Sequence, residues 1–322
     1  MNGPTLEPPS ATAAAAVSVT SAAPAEPVEP AARGAAPAAD QWTFPIGPSF
    51  VLYAAVHVGA LVAPFVVLDG TALAILAATY FARIFGLGAG YHRYFSHRAF
   101  KTSRPVQFLL GLLGATSMQR GPLWWAETHR THHRFTDTPR DLHSPHFQGF
   151  LYSHFAWPFA PQHRRTRLEA IGDFAKFPEL VWLNSAPACA LVAVAYAAGL
   201  FWGWGWTGFL WGFCVSTVCT WHTVHWIQSM SHWWGGYRRF ATEDHSRNHW
   251  LLGLVSLGEF HNNHHHRASS ARQGYVWWEI DIVWYVLRLL AAVGLVWDLK
   301  DTLHAARSAK REPGESLAST GE

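Results

Sequence analysis

The chain has 322 residues, of which 50% are hydrophobic and only 14% charged, against the ~25% usual for soluble domains. That balance excludes an ordinary soluble domain, and a net charge of +3 gives no footing for a nucleic-acid binder. The 20 histidines and 18 tryptophans are both in excess, and tryptophan suits a membrane interface, with its ring among acyl chains and its N–H near water.

Residues 1–42 are rich in Ala and Pro with no periodic apolar face, so they read as a disordered tail. They lack the basic start and clean apolar core of a cleaved signal peptide. Ser49–Leu68 is apolar and long enough to cross ~30 Å of hydrocarbon at ~1.5 Å per residue. Asp69-Gly70 reads as a turn, and Thr71–Gly90, with Arg83 late in it, runs back as a second span. Residues 91–180 carry 12 Lys/Arg against 6 Asp/Glu, which assigns them to the cytoplasmic side. Val106–Met118 is apolar but too short to span, so it lies on the membrane or against the bundle. Val181–Phe201 and Trp204–Ile227 form a second hairpin through Trp202-Gly203. Tyr275–Leu299 contains Glu279, Asp281 and Arg288, and is read as an interfacial helix with Asp281 and Arg288 on one face. Residues 43–300 thus form one all-α membrane domain of four transmembrane helices in two hairpins, capped on the cytoplasmic side, with 301–322 a solvated tail. Cys189, Cys214 and Cys219 sit singly in apolar runs and read as small fillers, not as ligands or disulfides.

The chemistry lies in three histidine clusters that four spans would bring to one face. His92 and His97 are separated as H-x-x-x-x-H, while His129, His132, His133 and His261, His264, His265 both read H-x-x-H-H. On a helix, positions i, i+3 and i+4 share a face, and adjacent positions differ by ~100°. Each triplet therefore aims into one pocket, and the offset lets His132 and His133 reach different ions. His92 and His97 are ~140° apart on an ideal helix, so either they serve different ions or the helix unwinds between them. Eight histidines exceed what one ion needs. His245, His249 and His266 are extra histidines near the clusters. His57 and His154 read as packed or interfacial residues. All-nitrogen ligation beside acyl chains points to attack on an unactivated C–H bond, for which iron with dioxygen is suited.

These stretches resemble the membrane fatty acid desaturases, and more finely the acyl-CoA delta-9, or stearoyl-CoA, type. The resemblance rests on Gly90-Tyr91-His92-Arg93-Tyr94-Phe95-Ser96-His97, Trp125 to His133, Asp141-Leu142-His143, Gly149 to His154, Asp173-Phe174-Ala175-Lys176, and Gly258-Glu259-Phe260-His261-Asn262-Asn263-His264-His265. It covers roughly residues 45–290 and implies two iron ions with O2 as co-substrate. A cis double bond would form in a saturated acyl chain, with electrons from a separate ferredoxin or small cytochrome and its reductase. It also implies a ninth ligand, His232, in the N-S-x-x-H position after the last span. There this chain has Gln228 in place of the family's water-binding asparagine, and His225 where tryptophan is usual. By the same resemblance Arg93, Arg98 and Lys101 are candidates to attract the acyl carrier's phosphates or an acidic donor. An acyl tunnel is expected along the second span, lined by Ala72, Ala74, Ala77 and Ala78. A membrane hydroxylase with the same histidines is the nearest rival; a metal transporter or zinc hydrolase fits less well, since polar residues are scarce in the spans.

Overall fold

The computed structural model describes residues 47–301. The stretch expected to be disordered at 1–42 and residues 302–322 of the tail fall outside the described residues. The first helix, α1 (Pro48–Val66), starts with Pro48, whose missing N–H costs nothing in a first turn. Only Val56 and Ala63 along it are buried. Leu61 is 72% and Phe65 90% exposed, as suits side chains that meet lipid instead of protein. The Asp69 carboxylate accepts from Ala72 N at 2.8 Å and starts α2 (Gly70–Phe85), so the expected turn falls where the sequence put it. α2 continues without a break into an 11-residue π-helix, Gly86–Ser96.

Among the described residues, three helical runs are long and apolar enough to cross a membrane: Pro48–Val66, Gly70–Ser96 and Ala186–His232. The third, of 47 residues, is not straight. Trp204 (φ −140°, ψ 16°) and Gly205 (φ 56°, ψ −141°) are not helical, and Gly205 adopts a conformation that L side chains rarely reach. A Cβ on Gly208 would lie 2.1 Å from the Leu200 carbonyl oxygen, so the chain doubles back at this point. The reversal sits two residues past the expected Trp202-Gly203 link. At the other end, the expected Val181–Phe201 helix is split: Pro178–Leu183 ends at Asn184, and Ser185 caps a new helix from Ala186.

Arg83 is 1% exposed and finds no carboxylate. Its guanidinium donates to Thr217 Oγ1 (2.6 Å), the Gly212 carbonyl (3.2 Å) and Ser216 Oγ, and lies over the Tyr196 ring. An arginine at such depth is tolerated only when its donors are satisfied. The π-helical turn at Gly208–Val215 gives it the Gly212 carbonyl.

The polar part packs on the π-helix. The segment expected at Val106–Met118 is the helix α3 (Arg104–Ala115), laid against the bundle; a Cβ on Gly90 would come within 2.9 Å of the Leu110 carbonyl oxygen. α4 (Pro122–Phe135) carries the second histidine cluster. Two expectations need correction here. Tyr275–Leu299 is not one helix: only Ile282–Ala292 is helical. Asp281 does not share a helical face with Arg288 but caps that helix, and its carboxylate takes two hydrogen bonds from the buried Arg93 guanidinium (2.8 and 3.2 Å). The fold is also not purely helical, since Lys101–Thr102 pairs antiparallel with Val296–Trp297.

Candidate metal centre

The π-helix decides how the first cluster works. Its i→i+5 hydrogen bonds widen each turn by one residue, and His97 N donates to the His92 carbonyl at 3.2 Å. Histidines five apart therefore lie on one face, and neither alternative offered by an ideal helix applies: the helix does not unwind, and the two rings meet edge-on in one group. Arg130 of α4 clamps the end of this helix by donating to the Phe95 (2.7 Å) and Ser96 (2.8 Å) carbonyls, while Asp173 holds the same guanidinium at 2.9 and 3.0 Å.

All nine sequence-predicted histidines converge, in two groups. One potential ligand atom from each of His92, His97, His129, His133 and His264 lies within 4.8 Å of the others; a second group joins His132, His232, His261 and His265 on the same criterion. His132 and His133 fall in different groups, as do His264 and His265, which is what the ~100° step between neighbours does. Nε2–Nε2 distances are 2.9 Å for His92–His264, 2.8 Å for His97–His129 and His133–His264, and 2.8 Å for His232–His261. His245, His249 and His266 join neither group; His266 instead stacks on Phe240 with ring centroids 3.9 Å apart.

The sequence reading missed the layer behind these rings. His132 Nδ1 meets Asp141 (2.9 Å), His232 Nδ1 meets Asp137 (2.9 Å), His265 Nδ1 meets Asp244 (2.8 Å) and His92 Nδ1 meets Glu259 (2.9 Å). Glu259 also reaches His261 Nδ1 at 3.5 Å, so one carboxylate touches a ring from each group. With the Gln273 amide nitrogen donating to Glu259 (2.9 Å) and the Gly258 carbonyl (3.0 Å), its oxygen is left for His264 Nδ1 at 3.3 Å. A carboxylate on Nδ1 fixes the proton there and turns the Nε2 lone pair inward. The only sequence hints were proximity: Asp141 nine residues after His132, and Glu259 two before His261.

The donor set fits metal ions. His132 Nε2 and His265 Nε2 are buried with no hydrogen-bond partner, each with its Nδ1 on a carboxylate. Burial pushes His97, His129, His133, His261 and His264 well below the ordinary imidazole range, which keeps them neutral. Burial would raise the Asp141 carboxyl, but the charge and hydrogen bond of His132 outweigh it and hold it at about 2.

An apolar cavity opens against both groups. Its walls include Ile84, Leu87, Gly88, Trp125, Val224 and Ile227; His92, His129, His132, His261, Glu259 and Gln228 close one side. Gln228 also accepts from Trp157 Nε1 at 3.2 Å. The expected alanine lining fails: Ala74, Ala77 and Ala78 are exposed on the outer face of α2, and the buried Ala72 packs with Ala63 and Trp211. The cavity instead begins one turn after Tyr80, whose hydroxyl bonds to Thr223 (2.8 Å) and the Val255 carbonyl (3.0 Å). Arg93 is likewise no phosphate contact, being 1% exposed and held by Asp281 and the Ala271 carbonyl. Arg98 and Lys101 are exposed but face Asp173 (3.7 Å) and Asp298 (2.7 Å).

Residues 69–299 match the fatty acid desaturase family model. The chain is 37% identical over 253 residues to delta-9 acyl-lipid desaturase 1 of Arabidopsis thaliana, covering 76% of this chain and 80% of that protein. It is 35% identical over 254 residues to an acyl-CoA 5-desaturase of Anemone leveillei, covering 78% of each. A sn-2 palmitoyl-lipid 9-desaturase of Nostoc sp. (strain 36) is 36% identical over 216 residues, or 65% of this chain and 74% of that protein.

Proposed function

The chain belongs to the fatty acid desaturase family and is a desaturase enzyme, and we propose that it uses two iron ions and O2 to place a cis double bond at the ninth carbon of a saturated acyl chain. The observation that carries this is the pair of histidine groups, five and four strong, facing an apolar cavity. His92, His97, His129, His133 and His264 would hold one iron; His132, His232, His261 and His265 would hold the other, with Gln228 placed to bind water beside it. Bound there, the irons with dioxygen would supply the oxidising power to remove two hydrogens from adjacent methylenes.

This chain's residues do the rest. Ile84, Leu87, Val224 and Ile227 take the acyl chain out of water, each buried CH2 contributing about 0.8 kcal/mol. A saturated chain has no polar handle, so the wall holds the target carbons against His129 and His261 by shape alone. Asp137, Asp141, Asp244 and Glu259 keep the Nδ1 protons and orient the rings. Electrons come from a separate ferredoxin or small cytochrome with its reductase.

The two runs flanking the Trp204-Gly205 reversal are read as separate spans, giving four transmembrane helices and placing the histidines on the cytoplasmic side, in line with the 12 Lys/Arg of residues 91–180. The acyl group is taken to ride on coenzyme A. Two of these relatives, an acyl-lipid and a palmitoyl-lipid 9-desaturase by name, support membrane glycerolipid as a second reading. The test is the purified protein with a reducing system, given stearoyl-CoA or stearoyl-glycerolipid, with mass-spectrometric location of the new double bond. A hydroxylated product would replace the desaturation reading; turnover of the glycerolipid alone would replace the carrier.

A further inference from the structure

We propose a third, mononuclear metal site, separate from the nine histidines, in which His154, His222 and His225 hold a divalent ion of the zinc class. One potential ligand atom from each of these three lies within 4.8 Å of the other two. They come from two elements: His154 from the short π-helical turn Tyr152–Ala156, and His222 and His225 from the Ser216–Ser229 helix, where an i, i+3 spacing puts them on one face. Thr223, Val224 and Ile227 of the same helix line the acyl cavity, and His222 and His225 do not.

With the Ser229 hydroxyl proton on the His225 carbonyl, the proton count leaves a gap that a cation fills. Ser229 Oγ donates to the His225 carbonyl at 2.8 Å, so its lone pairs face His154 Nδ1 at 2.9 Å. The His154 proton therefore sits on Nδ1, and its Nε2 presents a lone pair. His57 Nδ1 lies 2.8 Å from the Tyr53 carbonyl, which can only accept, so His57 Nε2 also presents a lone pair. Between these two lone pairs stands His222, with Nε2 3.0 Å from His57 Nε2 and Nδ1 3.1 Å from His154 Nε2. Neutral His222 has one proton for two acceptors. Placed on Nε2, it satisfies His57 and leaves two lone pairs face to face at the Nδ1 contact. Close by, His225 Nδ1 is buried without a hydrogen-bond partner.

An ion resolves every one of these conflicts at once. Tetrahedral ligands at ~2.0–2.1 Å from an ion are about 3.3 Å from one another, close to the observed contact. The non-ligating nitrogens of His154 and His222 then donate to Ser229 and His57, the outer partners that metal-bound imidazoles ordinarily have. The same short nitrogen–nitrogen contacts mark the nine-histidine centre. Three neutral nitrogens suit zinc or copper and leave one position for water or a small anion. Such an ion ties the Tyr152–Ala156 turn to the Ser216–Ser229 helix.

The test uses the full chain, iron-loaded, in lipid nanodiscs. Zn2+ is added and free ion removed, and bound zinc and iron are counted by mass spectrometry for wild type, His222→Phe and His57→Phe. Wild type should hold one zinc per chain more than His222→Phe at equal iron content. His57→Phe, which keeps all three ligands but removes the acceptor for the His222 proton, should bind about 10- to 100-fold more weakly. Co2+ in place of zinc should give the visible absorption of a four-coordinate ion in wild type and not in His222→Phe. Equal zinc in wild type and His222→Phe would overturn the proposal and leave the cluster a hydrogen-bonded group of imidazoles. Should His222→Phe fail to fold, an unchanged zinc affinity in His57→Phe together with no cobalt band in wild type overturns it equally.

Discussion

α1 and the π-helix at Gly86–Ser96 both belong to runs apolar enough to cross a membrane, yet they are opposite kinds of structure. α1 buries two of its 19 residues; the π-helix buries ten of its 11. A segment that only has to sit in hydrocarbon needs apolar side chains and intact backbone hydrogen bonds, and little else. A segment that carries ligands needs neighbours at fixed distances, and those come from close packing and from an unusual helical turn. Sequence change should therefore be cheap in the first and expensive in the second.

The largest effect should come from the ligands that the packed region positions. His129→Ala or His264→Ala should abolish product formation while the protein remains in the membrane, as read by gas chromatography of total acyl chains and by iron content per chain. Near-normal turnover in either would remove that residue from the ligand set. One layer out, Asp141→Asn and Glu259→Gln should lose roughly 10- to 100-fold in metal affinity or activity, because the acceptor on a ring's Nδ1 loses its charge while the ring keeps its place. Glu259 should be the more damaging, since it touches a ring in each group. Iron titration of the two variants checks the order.

Packing comes next. Gly90→Leu forces a side chain onto the Leu110 backbone and should destabilise by about 1–3 kcal/mol or more, whereas Leu61→Ala on the outside of α1 should stay within about 0.5 kcal/mol. Thermal midpoints in detergent compare the two. The same contrast applies to substrate length. Ile84→Trp, at the cavity wall, should shift the preferred acyl chain shorter, while Ala77→Leu on the exposed face of α2 should leave the profile unchanged. An altered profile for Ala77→Leu would return the cavity to that face.

The smallest and broadest effect is that of pH on metal-free protein. His265 is held at about 4 and His143 at about 3, in both cases mainly by burial, below the ordinary 6.5. Between those values and 6.5 the unfolded chain binds protons that the folded one does not. Stability from these groups is therefore present above about pH 6.5 and should fall as the pH drops towards 4 and below, with His97, His129, His133 and His264 acting in the same direction and His132, raised by Asp141 against its burial, opposing them. A thermal midpoint of the metal-free protein that is flat from pH 7 to 4 would contradict this.

Much of this molecule is legible in its sequence because membrane spans and histidine spacing are local signals. The Asp69-Gly70 turn and the sorting of His129 and His133 to one group and His132 to the other follow from residues within a few positions of one another. What was not legible depends on distant partners or on departures from ideal geometry. The placing of His97 and His92 on one face needs a π-helix that no simple periodicity announces. The pairings of Asp137 with His232 and Asp244 with His265 join residues by fold, not by spacing. The outward alanines of α2 could not be told from inward ones without knowing which face the Ser216–Ser229 helix covers.

Arg93 adds a constraint of a different kind, one of time. Its partner Asp281 lies 188 residues further along the chain. At the ~5–20 residues per second of protein synthesis, the first histidine pair waits about 10–40 seconds for the carboxylate that neutralises its neighbour. Asn263, which steadies the last histidine cluster, likewise needs Glu279, at 2.9 Å, from the same late stretch. The metal centre is thus closed by the stretch that leads into Ile282–Ala292, the last helix among the described residues. Chains truncated before residue 279 should carry all nine metal-site histidines and still fail to retain iron, whereas chains that extend through residue 300 should hold it.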